Sequence, residues 1–253
     1  MAMLEMAGVY TTLEHKEVLR GVSFSVADGE TLVIIGRSGT GKSVILKHLI
    51  GLMHPDRGAI FVGGTDIAAL RGPALRTACR PVAMLFQNGA LFDSLRVWEN
   101  VGFHLLENLD RPVAEVQRVV REKLALVDLH GVEQLMPAEL SGGMRKRVAL
   151  ARTLALEPRV LLWDEPTSGL DPVTSDIINR LIVRTREQLG LTSVVVTHDM
   201  TSAYQVGQRI AMLHAGRIHT IGTPDRIRAT TDPVVRRFIT GDASDLVAAG
   251  NGE

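Results

Sequence analysis

Gly36-Arg37-Ser38-Gly39-Thr40-Gly41-Lys42-Ser43 follows the apolar run Thr31 to Ile35 and precedes a helical pattern through Leu46 and Leu49. The spacing G-x-x-x-x-G-K-[ST] between a strand and a helix is the pattern of a loop that cradles phosphates. Glycines let the backbone curl so that successive N–H groups point inward, and the helix that follows adds its positive end. All eight residues are therefore candidate phosphate contacts. Lys42 is the group that reaches the β and γ phosphates, and the Ser43 hydroxyl suits Mg²⁺.

Two further apolar runs end in polar residues of matching chemistry. Val160-Leu161-Leu162-Trp163 leads into Asp164-Glu165, as a buried strand delivers carboxylates to the carboxyl edge of a parallel sheet, the edge where the phosphate loop also lies. Asp164 is the candidate Mg²⁺ ligand and Glu165 the group that orients or deprotonates an attacking water. Ser193 to Thr197 presents His198 at the same edge, and Val82 to Phe86 ends in Gln87, whose neutral amide suits Mg²⁺ or water. The remaining histidines show no ligand spacing.

Working outward, short β-branched runs alternate with longer helical patterns, which predicts an α/β fold with a parallel core sheet. Val18 to Val26 alternates as an antiparallel strand and turns at Asp28-Gly29. Pro112 to Val127, Pro172 to Leu189 and Met200 to Val206 read as helices, and two short strands flank Ala215-Gly216. Residues 242–253 have little to bury and read as a loose tail.

The 253 residues carry 28 basic and 28 acidic groups, a balance that argues against a surface built to hold nucleic acid. No apolar stretch approaches the roughly 20 residues of a membrane span, no secretory signal is visible, and the single Cys79 makes no internal disulfide. The expected location is cytoplasmic.

Leu140-Ser141-Gly142-Gly143-Met144, followed by Arg145-Lys146-Arg147, resembles the signature of the ATP-binding cassette (ABC) family. Ser141 caps a helix whose bare N–H groups form a second anion site. The order of phosphate loop, Gln87, signature, Asp164-Glu165, Ser168-Gly169-Leu170-Asp171 and His198 matches the family over essentially the whole chain. The resemblance implies an ABC-type P-loop NTPase over residues 1–241, with an antiparallel β subdomain and a helical signature subdomain at roughly 88–158 inserted in a RecA-like core. It implies ATP and Mg²⁺ as cofactors, and ATP contacts from Ser141, Gly142, Gly143 and Asp171 as well as from the phosphate loop. Glu165, His198 and Gln87 become the catalytic set, with Ser43, Gln87 and Asp164 on the metal. It further implies a head-to-tail homodimer in which the signature of one subunit closes over the nucleotide of the other.

Two positions depart from the family pattern. Met144 stands where the signature usually has Gln, and Leu13 stands where an aromatic often stacks on adenine, with Tyr10 out of register. Apolar holding of the base, with weak discrimination among purines, is the expectation.

Phe86 to Leu95, Leu135 to Leu140 and Asp232 to Ile239 are similar to the ATPases of MCE-type lipid transporters, the Mla system for outer-membrane lipid asymmetry above all. That resemblance implies an ATPase driving phospholipid transport through a membrane permease, peripheral on the cytoplasmic face of the inner membrane, with an MCE-domain lipid-binding protein as a further partner. Import of a small polar solute such as an amino acid is the alternative, because an ATPase subunit does not touch cargo. Phe92, Leu95, Val97 and Trp98 are candidates for a groove that grips the permease.

Overall fold

Strand β3 (Thr31–Ile35) is buried along its whole length, and its alternating side chains sort the molecule into layers. The structure, a computed structural model, describes residues 2–87, 89–109 and 111–241; the expected tail at 242–253 lies outside the described residues. Val33 and Ile35 point into one core, Leu32 and Ile34 into the other.

The central sheet runs in the order β10 (Arg217–Gly222), β9 (Arg209–His214), β3, β8 (Thr192–Thr197), β7 (Val160–Asp164), β6 (Val82–Leu85). All neighbours pair in parallel except the β9–β10 hairpin at the edge. Such strands are buried on both faces and read as continuous apolar runs. Trp163 is fully buried at the centre, its indole donating to the Ser193 hydroxyl at 3.3 Å.

The second sheet is antiparallel, in the order β2 (Lys16–Ala27), β1 (Ala2–Leu13), β4 (Arg57–Val62), β5 (Thr65–Asp66). It shares one core with α1 (Lys42–Leu49) through Ile45, Leu46 and Leu49. The opposite face of the central sheet carries α3 (Val97–Leu109), α4 (Val113–Leu126), α5 (Gly142–Leu154), α6 (Pro172–Leu189) and α7 (Met200–Val206). The short α2 (Gly72–Cys79), α8 (Pro224–Arg228) and α9 (Pro233–Thr240) complete the described helices. Among the described residues no helix is long and apolar enough to cross a membrane.

The α/β reading with a parallel core and an antiparallel sheet is the fold observed. The Asp28-Gly29 turn leads from the antiparallel strand β2 into the core strand β3 and so passes between the two sheets: Gly29 donates to the Thr192 hydroxyl at 2.9 Å, tying the crossing to β8. Strand β1 has no clean sequence alternation because its register slips repeatedly against β2. One slip surrounds Gly8, where β4 comes so near that a Cβ on Gly58 (φ 99°) would lie 2.4 Å from the Gly8 carbonyl oxygen. Gly58→Ala is expected to cost about 3 kcal/mol, from left-handed backbone plus overlap, whereas Gly63→Ala (φ 54°, open surroundings) costs about 1 kcal/mol. Denaturant midpoints of the two variants check the ranking.

Candidate functional site

The carboxyl ends of β3, β6, β7 and β8 deliver the site. Beyond β3 the loop from Gly36 to Ser43 leads straight into α1, with Gly41 at φ 105° as its N-cap and no side chain competing for the first N–H groups. A Cβ on Gly36 would meet the Leu213 carbonyl oxygen at 2.7 Å, so only glycine lets the loop pass β9. Within the loop the buried Lys42 ammonium donates to the carbonyls of Gly36 (2.8 Å) and Arg37 (3.2 Å).

Glu165 stands between two cationic or proton-bearing groups. Its Oε1 lies 3.3 Å from Lys42 Nζ, and its Oε2 lies 2.9 Å from His198 Nδ1. The backbone of Glu165 takes φ 46°, pinned by its N–H donating to the Val196 carbonyl at 3.0 Å. Left-handed backbone at a non-glycine residue is sparsely populated and marks a position held by its surroundings. Beside it, the Ser43 hydroxyl donates to Asp164 Oδ1 at 2.9 Å, and burial pushes the Asp164 carboxyl above its ordinary range. A hydroxyl and a carboxylate together at a phosphate loop are hard oxygen donors of the kind Mg²⁺ takes alongside phosphates and water. Gln87 donates its amide to the Ser168 hydroxyl at 3.3 Å.

A cavity of about 510 Å³ unites Ser38, Gly39, Gly41, Lys42, Ser43, Gln87, Glu165, Ser168 and His198, and Leu13 and Val18 also line it. Tyr10 is turned away, its ring under the Arg57 guanidinium at 4.2 Å. Ser141, Gly142, Gly143 and Asp171 do not line this cavity. Ser141 caps α5, accepting from the Met144 N–H at 3.2 Å. Asp171 caps α6: hydrogen bonds from the Thr174 hydroxyl and backbone, with a further one from the Val173 N–H, hold its carboxyl below the usual range. Its two oxygens are thus engaged within its own helix.

Of the expected permease groove, Val97 is buried in the core and Trp98 packs against it. Phe92 is exposed but lies against Phe103 and beneath the Arg152 guanidinium. The neighbouring cavity, about 360 Å³, is lined by Phe86, Phe103, Ala149, Arg152 and Leu156 among others, so the apolar surface comes from α3 and α5 as much as from the segment after Gln87.

Lys146 is the site residue that sequence reading passed over. One turn past the signature, it donates to the carbonyls of Pro166 (2.8 Å) and Ser168 (2.6 Å) in the loop after Glu165. Its spacing from Gly142 and Gly143, four and three residues, is the available signal, since it places all three on one helix face.

A phosphate loop, a histidine at the end of the neighbouring strand and a carboxylate pair on the strand beyond it define a P-loop NTPase site. Residues 19–168 match the family described as "ABC transporter". The chain is 40% identical over 238 residues to the probable ribonucleotide transport ATP-binding protein mkl of Mycobacterium tuberculosis, covering 94% of this chain and 66% of that protein's length. It is 37% identical over 245 residues to the intermembrane phospholipid transport system ATP-binding protein MlaF of Escherichia coli, covering 97% of this chain and 91% of that one. The dimeric post-hydrolysis structure of the ATP-binding cassette MJ0796 bound to ADP and Pi superposes with a TM-score of 0.79 at 30% identity, covering 88% of this chain and 99% of that one. The chain belongs to the ABC transporter family, and its fold is that of the family's ATP-binding cassette.

With Leu13 and Val18 lining the cavity, ATP and GTP are expected to bind within about tenfold of each other. Leu13→Trp should tighten ATP by about 1 kcal/mol or more through stacking, and Tyr10→Ala should leave affinity unchanged. Equilibrium titration with fluorescent nucleotides reads all three; lost ATP affinity in Tyr10→Ala would put the base on Tyr10 instead.

Proposed function

We propose that this chain is the ATP-hydrolysing subunit of a phospholipid transporter, working as a homodimer against a membrane permease. The observation that carries the reading is the division of the anion sites: Lys42, Glu165 and His198 share one cavity, while the capped signature helix faces elsewhere. One chain presents two anion sites with one phosphate loop, and a second copy arranged head to tail supplies each with its complement. The lipid cargo is inferred from 37% identity to MlaF across 97% of the chain.

In this reading the loop from Gly36 to Ser43 holds the phosphates and Lys42 balances their charge. Glu165 takes a proton from the attacking water, and His198, bonded to Glu165 Oε2, fixes the carboxylate's orientation and contacts the γ phosphate. Ser43, Asp164 and Gln87 would hold Mg²⁺, which would supply neutralisation of the phosphate charge. Ser141, Gly142 and Gly143 contact the nucleotide of the second copy, and Asp171 stiffens the loop that crosses between copies. The cavity beside Phe86 and Phe103 receives an apolar element of the permease. The chain then sits on the cytoplasmic face of the inner membrane through that permease, and an MCE-domain protein carries the lipid onward. The ribonucleotide named for the mycobacterial relative makes a polar solute the alternative cargo.

Glu165→Gln is expected to keep MgATP affinity and lose at least about 100-fold in turnover, trapping an ATP-dependent dimer that size-exclusion chromatography detects. Lys42→Ala should lose nucleotide binding as well, about tenfold or more, because a buried charge-assisted contact to phosphate disappears. Undiminished hydrolysis by Glu165→Gln would remove it from the base role. Purified from its native membranes in mild detergent, the tagged Glu165→Gln protein should bring a multi-span permease, an MCE-domain protein and bound phospholipid; a solute receptor with another permease would reassign the cargo.

A further inference from the structure

Helix α5 does more than present the signature, because it is bonded directly to the loop that carries the hydrolytic carboxylate. At its first turn, Gly143 lies so close to α6 that a Cβ would be 2.5 Å from Thr174 Cγ2, and a Cβ on Gly142 would touch Leu170 at 3.8 Å. One turn on, the half-buried Lys146 ammonium bridges two carbonyls, Pro166 and Ser168. Those carbonyls flank a tight turn, closed by the Ser168 N–H donating to the Glu165 carbonyl at 3.1 Å. Ser168 in turn accepts the Gln87 amide. The loop thus has Glu165 at its start, in left-handed backbone, and the Gln87 partner three residues later.

We propose that Lys146 is a positioning residue for hydrolysis: by clamping the Pro166 and Ser168 carbonyls it holds Glu165 and the Ser168–Gln87 contact in register with the signature helix. The inference rests on the hydrolytic reading above and deepens it. Two charge-assisted hydrogen bonds from one ammonium fix the loop in two places, which a single neutral bond would not do. Burial pulls the Lys146 amine below its usual range, and the Glu165 carboxylate nearby opposes that shift. Because Ser141 caps α5, the helix end that meets a second copy in this reading is bonded, through Lys146, to the loop bearing the base. A misplacement of the carboxylate by about 1 Å is worth roughly 100-fold in rate.

The test uses the full chain with MgATP. Lys146→Met keeps the length of the side chain and removes both donors; it should lower kcat about 10- to 100-fold while the MgATP Kd stays within about twofold of the parent. Lys146→Gln, whose amide offers two donors, should recover much of the loss. Placed on Glu165→Gln, Lys146→Met should add no further loss, as expected for two residues acting through one carboxylate. Lys146→Met turning over within about twofold of the parent, while Glu165→Gln is inactive, overturns the proposal alone. Loss of thermal stability and of nucleotide affinity together, without rescue by Gln, also overturns it in favour of a packing role. Turnover insensitive to Glu165→Gln overturns the hydrolytic reading on which the proposal stands. Should Lys146→Met fail to fold, Lys146→Leu, which likewise lacks both donors, is read by the same criteria.

Discussion

The Glu165 carboxylate, held between the Lys42 ammonium and the His198 ring, is the constraint on which the rest depends. Left-handed backbone at a residue with a side chain costs about 1–3 kcal/mol and persists only where the surroundings over-determine it. Here the surroundings are the central sheet itself. Strand β7 brings Glu165 up, β8 supplies both the Val196 carbonyl that fixes its N–H and the histidine that fixes its carboxylate, and β3 launches the loop that carries Lys42. Three adjacent parallel strands, buried on both faces, thereby converge three chemically different groups to within hydrogen-bond or ion-pair distance. Packing stability and site geometry are the same requirement at this edge.

Residues whose role is written in a short local pattern were readable from sequence. The phosphate loop, Asp164-Glu165 and the capped signature each combine residue types that need one another within a few positions. The central strands announced themselves as apolar runs, because a parallel sheet covered on both sides leaves no polar face to break them. Strand β1 did not, since its bulges shift the face presented by successive residues and hide the period. Lys146 was legible only as a residue on the same helix face as Gly142 and Gly143, since its partners are main-chain carbonyls 20 and 22 residues away in another segment. A carbonyl leaves no trace in residue identity. The apolar cavity beside Phe86 was only half legible for a similar reason: Val97 and Trp98 look alike in sequence to Phe86 and Phe103, and packing alone separates core from rim.

The helix caps differ in charge. Helices α6, α7 and α9 start at Asp171, Asp199 and Asp232, whose carboxylates accept from the first backbone N–H groups. An aspartate is among the best caps and also neutralises the positive helix end. Helices α1 and α5 start instead at Gly41 and the neutral Ser141, with no acidic residue in the first turn of either. A stability criterion alone would favour an acid at both. Leaving the two helix ends uncompensated keeps their potential for an incoming anion, and a carboxylate at either would repel phosphate at close range. The chain's formal charge of zero therefore conceals uncompensated positive helix ends, those of α1 and α5 among them. The cavity at the start of α1 is not lined by Ser141, Gly142 or Gly143. In the proposed head-to-tail dimer an anion bound between two copies would meet both ends, and the energy released on meeting them would be available only in the closed assembly.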